Sequence, residues 1–148
     1  MPIASGFQME EYKILRLSVE AFPDSDDNGT IGYFAKDRIE HEGGRWTGEV
    51  MLGFRKTSES DPATVLYEII IVGKFKLPDE DKEDSKARFR KFLRGNGAAT
   101  LIPIARAALV TTSALTGHPG KHSIPNINVF DMQWNTSSDE QSAETEDE

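Results

Sequence analysis

Residues 64–77 read TVLYEIIIVGKFKL, and the fold turns on how this stretch is read. Val65, Ile69, Ile70, Ile71 and Val72 are β-branched and favour extended chain. Alternation places Val65, Tyr67, Ile69, Ile71, Gly73, Phe75 and Leu77 on one face, with Leu66, Glu68, Ile70, Val72, Lys74 and Lys76 on the other. Such a strand needs partners, and the preceding sequence supplies three. Arg45 to Lys56 sets Trp46, Gly48, Val50, Leu52 and Phe54 in phase. Thr30 to His41 does the same more weakly with Ile31, Tyr33 and Ala35. Lys13 to Phe22 puts Leu15, Leu17, Val19 and Ala21 inward, and Ile14, Arg16, Ser18 and Glu20 outward. Turn-forming clusters separate these runs at 23–29 (PDSDDNG), 42–44 (EGG) and 57–63 (TSESDPA). Connections this short imply antiparallel pairing, because parallel strands need long crossovers.

The period changes after Pro78. Lys86 to Arg94 (KARFRKFLR) spaces Phe89, Phe92 and Leu93 as a helix does, and Gly95-Asn96-Gly97 is expected to end it. A longer second helix is expected over Ala98 to Leu115, followed by an extended crossover from Ser123 to Trp134 (SIPNINVFDMQW). Four strands followed by two helices give an α+β domain: a four-stranded antiparallel sheet with a long and a shorter helix on one face. The domain is expected over residues 1–134, and an acidic disordered tail over 135–148. Ala98 to Leu115 is apolar but carries Pro103, Arg106 and several hydroxyls, so it reads as a buried helix and not a membrane span. It lacks a polar stripe, and the outer face of the strand at 64–77 carries Leu66, Ile70 and Val72. Both features imply self-association.

The chain carries 17 Lys and Arg against 25 Asp and Glu, a net charge of −8. Asp139, Glu140, Glu144, Glu146, Asp147 and Glu148 close the sequence without a compensating cation, so the domain itself is close to neutral. The absence of Cys excludes disulfides, thiolate catalysis and Cys-ligated metals. His118 and His122 have an H-x3-H spacing, but Pro119 and Gly120 interrupt it, and no metal site is expected. No catalytic or nucleotide-binding motif is present, so neither an enzyme nor a cofactor is expected. The start of the sequence lacks the pattern of a secretory signal, and a cytoplasmic location is expected. Lys86, Arg88, Arg90, Lys91 and Arg94 are the alternative reading: a nucleic-acid-binding module through the helix at 86–94. The acidic balance of the chain opposes it.

The stretch TLIPIARAALVTTSALTGHPGKHSIPNINVFDMQW, from Thr100 to Trp134, resembles the SecB-type protein-export chaperones. The resemblance rests on Pro103, Ala105, Arg106, Gly117, Pro119, Pro125, Asn128, Phe130 and Asp131. Leu66, Glu68, Gly73 and Phe75 resemble the family's fourth strand, and Leu17 to Ala21 (LSVEA) its first. It implies an ATP-independent holdase for unfolded proteins and preproteins, built as a dimer of dimers, a homotetramer with the long helices between dimers. Leu101, Ile102, Ala105, Leu109 and Thr112 would then face the oligomer interface. Clients would lie in apolar grooves, for which Trp46, Met51, Ile124, Ile127, Phe130 and Trp134 are the candidates. The resemblance also implies delivery of clients to the SecA translocation ATPase through an acidic patch, matched here by Glu20, Leu66 and Glu68. Arg16 reverses the charge of a further patch position. A SecB-like chaperone of a toxin–antitoxin pair, or a general holdase, is the alternative.

Overall fold

A computed structural model describes residues 8–20, 29–42, 45–76, 86–115 and 123–136. Strands β1 (Gln8–Val19), β2 (Thr30–Glu42), β3 (Arg45–Thr57) and β4 (Val65–Lys76) are followed by one helix, α1 (Lys86–Leu115). A short 3-10 turn at Val129–Asp131 and a two-residue strand, β5 (Asn135–Thr136), complete the described chain. The sheet order is β1-β4-β3-β2-β5. The first four strands pair antiparallel, and β5 lies parallel to β2 with Asn135 opposite Lys36. The expected α+β class is therefore the observed one: a four-stranded antiparallel sheet with a long helix on one face.

The alternation in β4 holds, with Tyr67, Ile69, Ile71 and Phe75 buried beneath the helix. In β3 the buried set is Val50, Leu52 and Phe54. Strand β1 departs from simple alternation. Its pairing skips a residue between Ile14 and Arg16, so Ile14 stands opposite Ile71 and Leu15 bulges out into solvent. A bulge of this kind inverts the facing of everything on one side of it. Leu15, expected inward, is therefore exposed, and Ile14, expected outward, shares the helix face.

The two expected helices are a single helix of 30 residues. Gly95-Asn96-Gly97 does not end it, because Gly97 is needed where α1 crosses the sheet. A Cβ there would lie 2.8 Å from Val50 Cγ2. Asn96 Nδ2 donates to the Phe92 carbonyl at 3.1 Å, satisfying the helix locally. Pro103 sits in the helix interior, on the exposed side, where the Ala99 carbonyl it leaves without a helix partner can be met by water. The buried residues form a row in steps of four: Phe89, Leu93, Gly97, Leu101, Ala105, Leu109 and Ser113. From Leu93 onward large and small residues alternate along it, which lets the row interdigitate with the sheet.

This row corrects the expected interface. Leu101, Ile102, Ala105 and Leu109 are buried within the single chain and belong to its core, and Thr112 is half-buried. The exposed row is Ala99, Pro103, Ala107, Val110 and Ala114. The tail boundary also moves: Asn135 and Thr136 are paired to β2, and residues 137–148 lie outside those described.

Truncating the helix row removes packed volume at the centre of the sheet. Leu101→Ala should destabilise the chain by about 2–5 kcal/mol, and Gly97→Val by about 1–3 kcal/mol through overpacking, as read by denaturant titration.

Candidate functional site

Segment 123–134 runs back along α1, and its backbone is pinned by side chains. Tyr67 Oη donates to the Ser123 carbonyl at 3.0 Å; burial pushes that phenol up to about 12. Arg106 donates to the carbonyls of Ile124 (3.0 Å) and Pro125 (2.6 Å). A segment outside the sheet has no ladder partners for these carbonyls, and an arginine fork can satisfy two of them at once. Asn128 caps the 3-10 turn, accepting from the Phe130 N–H at 3.0 Å and donating to Asp131 at 3.0 Å. Past the turn, the Gln133 N–H donates to Tyr33 Oη at 2.9 Å.

These anchors divide the segment's apolar residues into two groups. Ile124 and Met132 are buried, while Ile127, Val129 and Trp134 are half-buried and pack against the core. Phe130 is 83% exposed. Its ring stands beside α1 at Gly95, where a Cβ would be 3.6 Å away. Phe92 and Ala99, one turn to either side of Gly95, are exposed on the same helix. The result is an apolar surface of Phe92, Ala99 and Phe130 on a fixed backbone, continued by the exposed row of α1.

The predicted groove residues do not all meet there. Phe130 lies on the surface, with Ile127 and Trp134 along its margin. Ile124 is a core residue. Trp46 stacks on Phe89 at 5.7 Å and on His41 at 4.3 Å, against the first turns of α1. Met51 is on the opposite face of the sheet, in register with Val72 and Lys36, and cannot share a groove with the others.

The basic helix start is split as well. Arg90 and Arg94 turn toward Asp37, whose side chain is fully buried, with Nε–Oδ2 distances of 3.2 and 2.8 Å. Arg94 also lies over the Trp134 ring at 5.4 Å. Two of the five cations proposed for phosphate contacts are thus structural. Asp37 is in phase with Ile31, Tyr33 and Ala35, and that alternation is the signal of an inward acid that requires a cation. Arg106 and Tyr33 gave no comparable signal, because their partners are backbone atoms of a distant segment.

The expected acidic patch takes a different form. Glu20 is exposed, and its N–H donates to the Leu66 carbonyl at 2.8 Å. Leu66 is buried. Glu68 is held between two arginines, accepting from Arg16 Nη1 at 3.0 Å, from Arg55 Nε at 2.7 Å and from Arg55 Nη2. Burial raises the pKa of Glu68, but hydrogen bonds and charge from Arg55 and Arg16 outweigh it, so the net shift is downward. This face therefore presents two guanidinium groups around a covered carboxylate. Arg55 was missed, yet it stands directly across from Glu68 in the register. His118 and His122 lie outside the described residues, among which no group of three or more His, Asp and Glu comes together.

No family model and no curated protein sequence matches the chain. By fold it is similar to a SecB-like chaperone of Mycobacterium tuberculosis solved in complex with a ChAD peptide from the HigA1 antitoxin. The TM-score is 0.60 and the identity 9%, covering 84% of this chain and 92% of that one. The similarity is one of architecture: the antiparallel sheet and the long helix.

The Arg16–Glu68–Arg55 cluster gives a pH dependence of defined sign. The folded pKa of Glu68 lies below its unfolded value, so its stabilisation is present at neutral pH and is lost as pH falls through the folded value. Between about pH 5 and pH 3 the native chain should lose more stability than Glu68→Gln, as read by denaturant midpoints across that range.

Proposed function

We propose that the chain is an ATP-independent holdase that receives extended apolar segments of unfolded polypeptides on the surface made by α1 and segment 123–134. The observation that carries this reading is Phe130, an exposed aromatic ring on a backbone tied down by the Asn128 cap and by Arg106. A ring presented this way is already ordered, so binding costs less conformational entropy. Each buried client side chain contributes roughly 1.5–3 kcal/mol, and several in sequence supply affinity without a deep pocket. The fold similarity supports a chaperone role, and that neighbour's bound antitoxin peptide supports a polypeptide as the ligand class. The surface holds the features of a binding protein.

Self-association fits the other half of the exposed helix row. Ala107, Val110 and Ala114 are small or apolar and leave room for a second helix, consistent with a homotetramer in the cytoplasm. Export through SecA is the less favoured partner relationship. Leu66 is buried and Glu68 is engaged by two arginines, so a basic partner would meet like charge there. The antitoxin peptide bound by the structural neighbour favours the second reading, service to a toxin–antitoxin pair.

The chain should suppress aggregation of a chemically denatured client without nucleotide. Phe130→Ser should weaken that client's binding by about tenfold with an unchanged denaturation midpoint, since an exposed ring contributes little to folding. Undiminished holding by Phe130→Ser would contradict the assignment of this surface.

A further inference from the structure

The sheet face opposite α1 carries an open trough that client holding on the helix side does not use. Two depressions, of about 340 and 330 Å³, adjoin there. Their floor follows from the strand register. Ile70, Gly53 and Phe34 stand side by side across β4, β3 and β2, and Val72, Met51 and Lys36 form the next row. Successive rows on one face are about 7 Å apart, so the two depressions form one continuous strip. Gly53 makes the strip possible: the Phe34 ring lies over it and leaves no space for a Cβ. Phe34, Met51, Ile70 and Val72 are all half-buried, an aliphatic and aromatic floor that remains open to a ligand.

Cations dominate the rim. At one end are Arg16 and Arg55, whose side chains remain 64% and 54% exposed. Glu68 takes one N–H of Arg16 and two of Arg55, while each guanidinium has five to offer. Among the described residues no other carboxylate pairs with either. At the other end Lys36 lies 5.4 Å from the Phe34 ring, with Glu49 on the far wall. A chain that is acidic overall thus places three cations, Arg16, Arg55 and Lys36, against Glu68 and Glu49 around this apolar strip.

We infer that this face docks an extended acidic segment of a partner polypeptide, with carboxylates on Arg16 and Arg55 and a large apolar side chain in the Phe34–Ile70 trough. Guanidinium groups bind carboxylates in a fork geometry that a lone ammonium cannot match. An apolar floor suits a peptide better than a nucleic acid, whose phosphates would need a longer run of cations than this rim provides. The partner is the opposite of a basic one: like charge at Arg16 and Arg55 would repel it.

Fluorescence anisotropy of short labelled peptides on the full chain tests this. One probe alternates Asp or Glu with Leu and Phe. A second replaces its acids with Lys. A third is the sequence of residues 137–148, acidic but without a large apolar residue. The first should bind at least about tenfold tighter than either of the others, and added salt should weaken it. Arg16→Glu, which leaves the Arg55–Glu68 pair in place, should cost about tenfold, and Ile70→Ser a similar factor. Holding of a denatured client should be unchanged in both variants, which separates this face from the helix-side surface. Equal binding of the Lys peptide, equal binding of the 137–148 peptide, or indifference to both substitutions would overturn the proposal.

Discussion

Everything in this chain is arranged around one slanting row on α1. Leu93, Gly97, Leu101, Ala105, Leu109 and Ser113 alternate large and small in steps of four and lock into the sheet beneath. The notches are reciprocal. Gly97 admits Val50, and Gly73 admits the Leu101 side chain, since a Cβ at Gly73 would lie 2.9 Å from it. A row of this kind occupies only part of a helix circumference. The remaining apolar residues of α1 have no place in the fold and stay outside. The exposure of Phe92, Val110 and their neighbours is thus the remainder left by a core that has taken what it can hold.

Segment 123–134 extends that exposed surface without covering it. Its own hydrophobic residues Ile124 and Met132 go into the core, and Tyr67, Arg106, Asn128 and Tyr33 hold its backbone. Of the large hydrophobic side chains in segment 123–134, Phe130 is the one left exposed. The two sheet faces then divide the labour by chemistry. On the helix side is an apolar surface with Arg90 and Arg94 drawn inward onto Asp37. On the other side is an apolar strip with its cations kept outward around Glu68.

Much of the architecture could be read in advance. Residues 64–77 announce their alternation, the turn clusters set the strand count, and the inward set of β3 and β4 is the observed core. What escaped was set by atoms far away in sequence. Leu15 looks inward by alternation, and only the pairing of β1 with β4 reveals the bulge. Gly95-Asn96-Gly97 carries a helix-stop signal that the need to fit Val50 overrides. A helix apolar on every side hides which row is buried, so the interface was first placed on the core residues Leu101, Ile102, Ala105 and Leu109. The exposure of Phe130 was legible because a segment outside the sheet ladder, interrupted by Pro125, cannot bury every apolar residue it carries. Met51 is out of phase with Trp46, Val50, Leu52 and Phe54, so alternation within its own strand already sets it on the opposite face, where it pairs with Lys36 and Val72.

The proposed site for unfolded polypeptide is the helix side, along α1 and segment 123–134. Amide hydrogen exchange of the chain, alone and with a permanently unfolded client, measures this directly. The account predicts slowed exchange in peptides covering residues 91–104 and 123–134, with β1 and the outer rows of β4 unchanged. Slowed exchange confined to the sheet, or none in segment 123–134, would contradict it.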